Sequence, residues 1–373
     1  MRPASARVRV LVEPRWLSWS WFALFALAAT SCSPQPKTVP SYGELIEELS
    51  EDGGYFDTDN LISNETAYVQ VVEQLEPTGG VYLGVGPEQN FHYIGRLRPS
   101  WAFIVDIRYD NMLHHLLLNA LLVEATTPVD YLCALFSRRC ETPPETDDFD
   151  GLIASVEAAP PDEALYRSNL IDVFDRIGRV VEVPLSDDDR GRIEFIYRSY
   201  FDEQLDLRFR SHGRGPMPHH PTYARLLSVR GPAGELGHFL ARPDDYAHVR
   251  MLAESGRLIP VVGDFAGEHA LRRIGQFIED QHETVTAFYV SNVEFYLIRN
   301  GVFPAFVDNV RSLPRSDRAQ FIRAYFSYGA PHPAALPGHR STLVRQNMSR
   351  FFELYDDDAF VSFLEVSTLG NEP

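Results

Sequence analysis

The sequence predicts an α/β protein: a doubly wound, mostly parallel sheet interrupted by a largely helical insertion. Three observations carry this. Residues Gly79 to Arg108 read as strand, glycine turn, helix, strand and acid. The same strand and helix alternation resumes at Leu258 and runs toward the C-terminus. The apolar runs end on polar residues, Asp106, Asp264 and Asn292, as strands do where a parallel sheet opens to a ligand.

In the first unit, Val81, Tyr82 and Leu83 form a short β-prone run between glycines, which reads as a buried strand. Gly84 and Gly86 allow a sharp turn and close approach of a ligand to the backbone. Phe91, Ile94 and Leu97 recur at helical spacing, and Pro99 stops that helix. Ala102 to Val105 is the second strand. It closes on Asp106, 20 residues after Gly86, where a carboxylate can accept bonds from ribose hydroxyls.

The rest follows in order. Ser41 to Ser50 is a short amphipathic helix, and Ser63 or Asn64 caps a helix running to about Leu75. Asn111 to Ala125 is a leucine-rich helix whose adjacent His114 and His115 point to different faces, which excludes a metal pair. From Thr126 to about Gly256 the reading is mainly helical, with helices at Ala164–Gly178, Asp187–Phe201 and Asp244–Ser255, an acidic loop at Pro143–Asp150 and a short helix or turn at Tyr223–Val229. His212, His219 and His220 lie in a glycine- and proline-bearing loop without metal-ligand spacing. Leu258 to Phe265 is a strand ending in Gly-Asp, His269 to Gln281 a helix, and Val285 to Val290 a strand ending Ser291-Asn292-Val293-Glu294. Pro304 to Leu313 is helix or loop, Phe321 to Ser327 a strand, Leu343 to Leu354 a helix, and Phe360 to Val366 a last strand. The boundaries that result are 41–125 and 258–373 for the two parts of the sheet and 126–257 for the insertion.

Composition narrows the function. The chain has 373 residues, 45% of them hydrophobic and 23% charged, as in an ordinary globular protein. The net charge is −18, which argues against nucleic acid as a partner, since that surface needs clustered Lys and Arg. The first 31 residues read as a signal peptide: four arginines precede an apolar stretch of 14 residues from Trp16 to Ala29. Small residues then lead to Cys32, the pattern of a bacterial lipobox. On this reading Cys32 is lipidated, residues 32–40 tether the body to a membrane, and Ser33 directs the protein to the outer membrane facing the periplasm. An oxidising compartment permits a Cys133–Cys140 disulfide, provided the helix carrying Cys133 ends near Ser137.

These residues resemble the class I, Rossmann-like methyltransferases that use S-adenosylmethionine. Gly84-Val85-Gly86 looks like their first motif, Asp106 like the acid that holds the ribose, and Gly263-Asp264-Phe265 like the third-strand motif that faces the adenine amine. Ser291-Asn292-Val293-Glu294 occupies the place after the fourth strand where substrate-contacting residues lie. The runs Leu-Gly-Val-Gly-Pro-Glu-Gln-Asn and Phe-Tyr-Val-Ser-Asn-Val-Glu also resemble an uncharacterised bacterial family carrying that fold. The resemblance implies a cofactor against Gly84, Gly86, Glu88, Asn90, Asp106, Arg108, Gly263, Asp264 and Phe265, and a substrate against Asn292, Glu294 and Tyr223. The chain departs from the family in two places. Tyr82 stands where those enzymes carry an acid for the methionine ammonium, and Glu88 stands in place of a third glycine. Outside the cytoplasm S-adenosylmethionine is not normally met. The favoured expectation is therefore a methyltransferase-like core that binds a small, nucleoside-like ligand or an envelope partner without catalysis. Methyl transfer from S-adenosylmethionine is the alternative.

Overall fold

The structure is a computed structural model that describes residues 39–140, 148–179, 182–212, 214–215, 217–327 and 330–372. Seven strands form one mixed sheet: β1 (Val81–Gly84), β2 (Trp101–Asp106), β3 (Leu258–Val262), β4 (Val285–Ser291), β5 (Arg315–Phe326), β6 (Ser341–Asn347) and β7 (Asn371–Glu372). Their order across the sheet is β3-β2-β1-β4-β5-β6-β7. The first five run parallel, and β6 is antiparallel to both of its neighbours.

The strands β1 to β3 are buried at every residue, and β4 at every residue but its last. This is why they read as unbroken apolar runs: a parallel sheet is covered on both faces, so alternation is lost. Among the connecting helices the depth of burial varies, and some bury a single stripe. In Ala270–Asp280 that stripe includes Leu271, Ile274 and Ile278. The sheet grows in one direction from β1 to β3 and in the other from β4 onward. The switch lies between β1 and β4, where the carboxyl ends of adjacent strands diverge and leave a crevice.

Between β2 and β3 the described residues form helices, with only isolated bridges between extended pairs. The helix Tyr109–Glu124 is the centre of this part. It is buried almost all round and contacts the helices Glu163–Arg179, Asp187–Glu203 and Pro243–Glu254 as well as β3. The acidic loop expected at Pro143–Asp150 lies mostly outside the described residues, and a helix begins at Phe149. The helix carrying Cys133 ends at Leu135 and Ser137 takes a φ of 49°, which brings Cys133 and Cys140 into a disulfide with Cα atoms 6.0 Å apart.

Four expectations are corrected. Leu343–Leu354 is not one helix: Ser341–Asn347 pairs with β5 as a strand, and Asn347 then caps a new helix by accepting from the Arg350 N–H at 3.1 Å. The final strand at Phe360–Val366 is instead a helix, Phe363–Thr368. Ser362 caps it, and Phe363 and Val366, three apart, face the core while Val361 is 85% exposed. β5 begins at Arg315, six residues before its apolar part, because its polar start pairs with β4 across an irregular register. The helix from Ser63 shrinks to a 3₁₀ turn at Thr66–Tyr68 and a single turn at Val69–Val72.

Candidate functional site

The turn after β1 is built from within. Asn90 accepts from the Tyr82 hydroxyl at 2.8 Å and donates to the carbonyls of Val85 at 2.9 Å and Pro87 at 2.7 Å. A Cβ on Gly84 would overlap the Asn90 side chain, so glycine is required there for packing. Both residues brace the turn from behind instead of facing a ligand, a correction to the sequence reading. Gly86 is different. Its φ is 80°, a Cβ there would meet open space, and the residue lines a large cleft. Its carbonyl accepts from the buried His115 Nε2 at 2.8 Å.

The cleft, about 730 Å³, opens beyond the carboxyl ends of β1 to β4. Asp106, Arg108, Gly263, Asp264, Phe265, Ser291 and Asn292 all line it. Two acids far apart in sequence therefore reach one mouth of one sheet. Asp106 does not reach it as a free carboxylate. Arg108 clamps both of its oxygens, through Nη2 at 2.6 Å and Nε at 2.9 Å, and the Arg108 backbone N–H adds a third bond at 2.9 Å. Arg108 also donates to the Asp59 carbonyl at 2.7 Å, which ties it to a strap of residues 51–60. That strap is pinned across the strand ends: Glu51 N–H donates to the Val262 carbonyl at 3.0 Å and Gly54 N–H to that of Ile107 at 2.7 Å. Asp264 is half-buried and accepts from the Ala266 N–H at 2.9 Å, while its own N–H donates to Glu51 at 2.7 Å. Phe265 packs edge-on against Phe288, 4.9 Å between ring centres. At the rim Phe56 meets Tyr296 edge-on at 4.9 Å, and Arg214 pairs with Asp57.

Three expected site residues point elsewhere. Glu88 lines no part of this cleft. It turns inward beneath the insertion, where it accepts from the hydroxyls of Tyr131, at 2.8 Å, and Tyr223. Burial pushes its carboxyl up to about 7. Tyr223 is thereby a buried partner of Glu88 and not a substrate contact. Glu294 is fully buried in an ion pair with Arg323, whose Nη2 lies 3.1 Å from Oε1 and whose Nη1 donates to Gln346 at 2.7 Å. The first turn of the helix Val293–Arg299 directs Glu294 into the core, so only Asn292 of that group lines the cleft. The histidine loop assembles no metal site: among the described residues no three His, Cys, Asp or Glu side chains could hold an ion together.

The sequence reading missed a buried acid in the cleft wall. Glu65 is 2% exposed and lines the cleft. Its carboxylate accepts from Gln89 Nε2 at 2.7 Å, from the Tyr289 hydroxyl at 2.8 Å and from the Ser291 hydroxyl. All three donors are neutral, and among the described residues no Arg, Lys or His forms an ion pair with it. Burial holds its carboxyl above the usual range, against the pull of those three hydrogen bonds. Ser291 sits at the end of β4 with a φ of 49°, a strained conformation for a residue with a side chain. The only sequence signal was an acid in the mixed segment Leu61 to Val72, between Leu61-Ile62 and the apolar residues from Ala67 onward.

No described helix is long and apolar enough to cross a membrane. Cys32 and the segment around it lie outside the described residues. A search among curated proteins finds no match. A family model matches residues 60–359, which takes in β1 to β6, the insertion and the whole cleft wall from Asn60 onward. The chain therefore belongs to the DUF7790 family, a domain of unknown function.

Proposed function

We propose that the cleft binds a small, nucleoside-like ligand carrying a protonated amine, and that binding, not catalysis, is the activity of this chain. The observation that carries the reading is Glu65. A buried carboxylate surrounded only by neutral donors leaves its charge uncompensated, which costs several kcal/mol unless a cation arrives or a proton binds. A ligand ammonium would supply that cation from the cleft. Asp264 and Asn292 add polar contacts for hydroxyls or amines, and Gly86 leaves room for a ligand against the backbone.

The strand order β3-β2-β1-β4-β5, with a reversed strand beside β5, supports a Rossmann-like, methyltransferase-like core. In that light Glu65 takes over from the position of Tyr82, entering from the segment before β1. The same features support methyl transfer from S-adenosylmethionine as the second reading. That reaction needs two reactants held in line more than it needs acid–base groups. The clamp of Arg108 on Asp106 and the export signal favour binding alone. Lipidation at Cys32 and residence in the cell envelope belong to the same proposal. Retention of a metabolic fatty-acid label by Cys32→Ala would overturn that anchor.

The ligand reading is tested by thermal shift and calorimetry with S-adenosylmethionine, S-adenosylhomocysteine and adenosine. The expected result is tighter binding of the two amine-bearing compounds, reduced at least tenfold by Glu65→Gln. No binding of any of the three at millimolar concentration would overturn the nucleoside assignment.

A further inference from the structure

Behind the cleft wall lies a small cavity of about 20 Å³, lined in part by Ser63, Glu88, Gln89, His92, Tyr223 and His238. We propose that this cavity is a binding site for one structural water, which bridges His238, Glu88 and Gln89 and so links the helical insertion to the turn after β1. The inference stands apart from the reading of the cleft.

Size is the first requirement. A water needs roughly 10–15 Å³ of such space and two to four polar partners. The cavity meets the first condition, and the hydrogen-bond chemistry of its walls meets the second.

The separation of His238 and Glu88 sets the bridge. His238 Nε2 lies 4.0 Å from Glu88 Oε1. That is too long for a direct hydrogen bond and suits two groups sharing a water. The tautomer of His238 is fixed by its neighbours. Its Nδ1 accepts from the Leu240 N–H at 3.3 Å, so the proton of the neutral ring sits on Nε2, on the side of Glu88. Burial keeps that ring neutral by lowering it to about 3. His92 is fixed in the same way, with Nδ1 accepting from the Phe239 N–H at 3.3 Å and its ring 4.3 Å from that of His238.

Gln89 supplies the other acceptor. Its Nε2 is committed to Glu65, at 2.7 Å, and to the Tyr93 hydroxyl, at 2.9 Å. That commitment fixes the orientation of the amide. Its Oε1 is buried and has no hydrogen-bond partner among the described residues. A buried amide oxygen left this way has given up its bond to water with nothing in return. One water resolves all three groups. Its oxygen accepts from His238 Nε2–H, and its two protons go to Glu88 and to Gln89 Oε1. The resulting chain runs from Glu65 in the cleft, through Gln89 and the water, to His238 of the insertion.

A high-resolution crystal structure of the full chain tests this. The expected result is one ordered water about 2.7–3.2 Å from His238 Nε2, Glu88 and Gln89 Oε1. A cavity without water density, or His238 in direct contact with Glu88, would overturn it. The variant Gln89→Met removes one acceptor at similar volume. It should lose the ordered water or raise its disorder sharply; an equally ordered water in that variant would remove Gln89 from the site. NMR of the histidine ring protons gives a second readout in solution. The His238 Nε2 proton should show cross-relaxation with a long-lived water, and its absence would count against the proposal even if the crystals failed.

Discussion

The Ser291 hydroxyl donates to the Glu65 carboxylate across 226 residues of sequence. The serine ends the central strand β4 in a left-handed conformation, and the acid lies on the segment that leads into β1. Each holds the other at the switch point of the sheet, in the wall of the cleft. Loss of this contact in Ser291→Ala leaves the carboxylate with two donors instead of three. The variant should lose about 1–3 kcal/mol of stability, measured by denaturant unfolding at neutral pH; no loss would mean that the contact contributes nothing.

Replacing the acid acts in the opposite sense. The folded state raises the Glu65 carboxyl above its usual range, so its stabilising contribution is full in acid and is lost as the pH rises through the folded value. Glu65→Gln removes that loss, and the Ser291 hydroxyl can turn to accept from the new amide. The variant should be more stable than the parent at pH 8, with the difference shrinking in acid. Thermal melts across pH check this.

Glu88 gives a pH effect of defined span. Its carboxyl moves from 4.5 to about 7 on folding because it is buried between Tyr131 and Tyr223. Stability from this group is therefore present below pH 4.5 and falls by about 3 kcal/mol as the pH climbs to 7 and beyond. His238, lowered to about 3, works the other way and removes stability as the pH falls below its unfolded value near 6.5. A comparison with Glu88→Gln isolates the glutamate. The variant should gain relative to the parent between pH 5 and pH 8, and a constant difference would contradict the burial assigned to Glu88.

Glu294 belongs to the scaffold. With Arg323 left alone in the core, Glu294→Ala should cost about 3–5 kcal/mol. Ligand affinity per folded molecule should be unchanged, since the side chain lies outside the cleft. A weakened affinity without loss of stability would return Glu294 to the site.

The Cys133–Cys140 disulfide closes a short loop, seven residues apart in sequence. Chain entropy assigns such a loop about 2–3 kcal/mol. Reduction, or Cys133→Ser, should lower the melting temperature accordingly, and unchanged melting would show that the loop is held by its surroundings alone.

How much of this was legible in the sequence varies by element. The strands β1 to β4 were plain because a doubly covered parallel sheet demands contiguous apolar residues, and Gly86 and Asp106 mark the turn and the strand end. The strand β6 was not, because Arg345, Gln346 and Asn347 carry no apolar alternation and are held by pairing with β5. Glu65 was hidden for a related reason. Its partners Gln89, Tyr289 and Ser291 come from separate elements, 24, 224 and 226 residues away, and only the folded sheet brings them together. For Glu88 and Glu294 the position was near the cleft, but packing decided the direction of the side chain. Two buried phenols draw one inward, and a buried guanidinium draws the other.

The central claim is that the Glu65 carboxylate anchors a cationic small molecule in the cleft. Native mass spectrometry of the protein purified from cells, compared with Glu65→Gln prepared in the same way, tests it most directly. The claim requires a small amine-bearing adduct on the parent protein that is lost from the variant. A parent protein that carries none, or an adduct retained equally by Glu65→Gln, would contradict it.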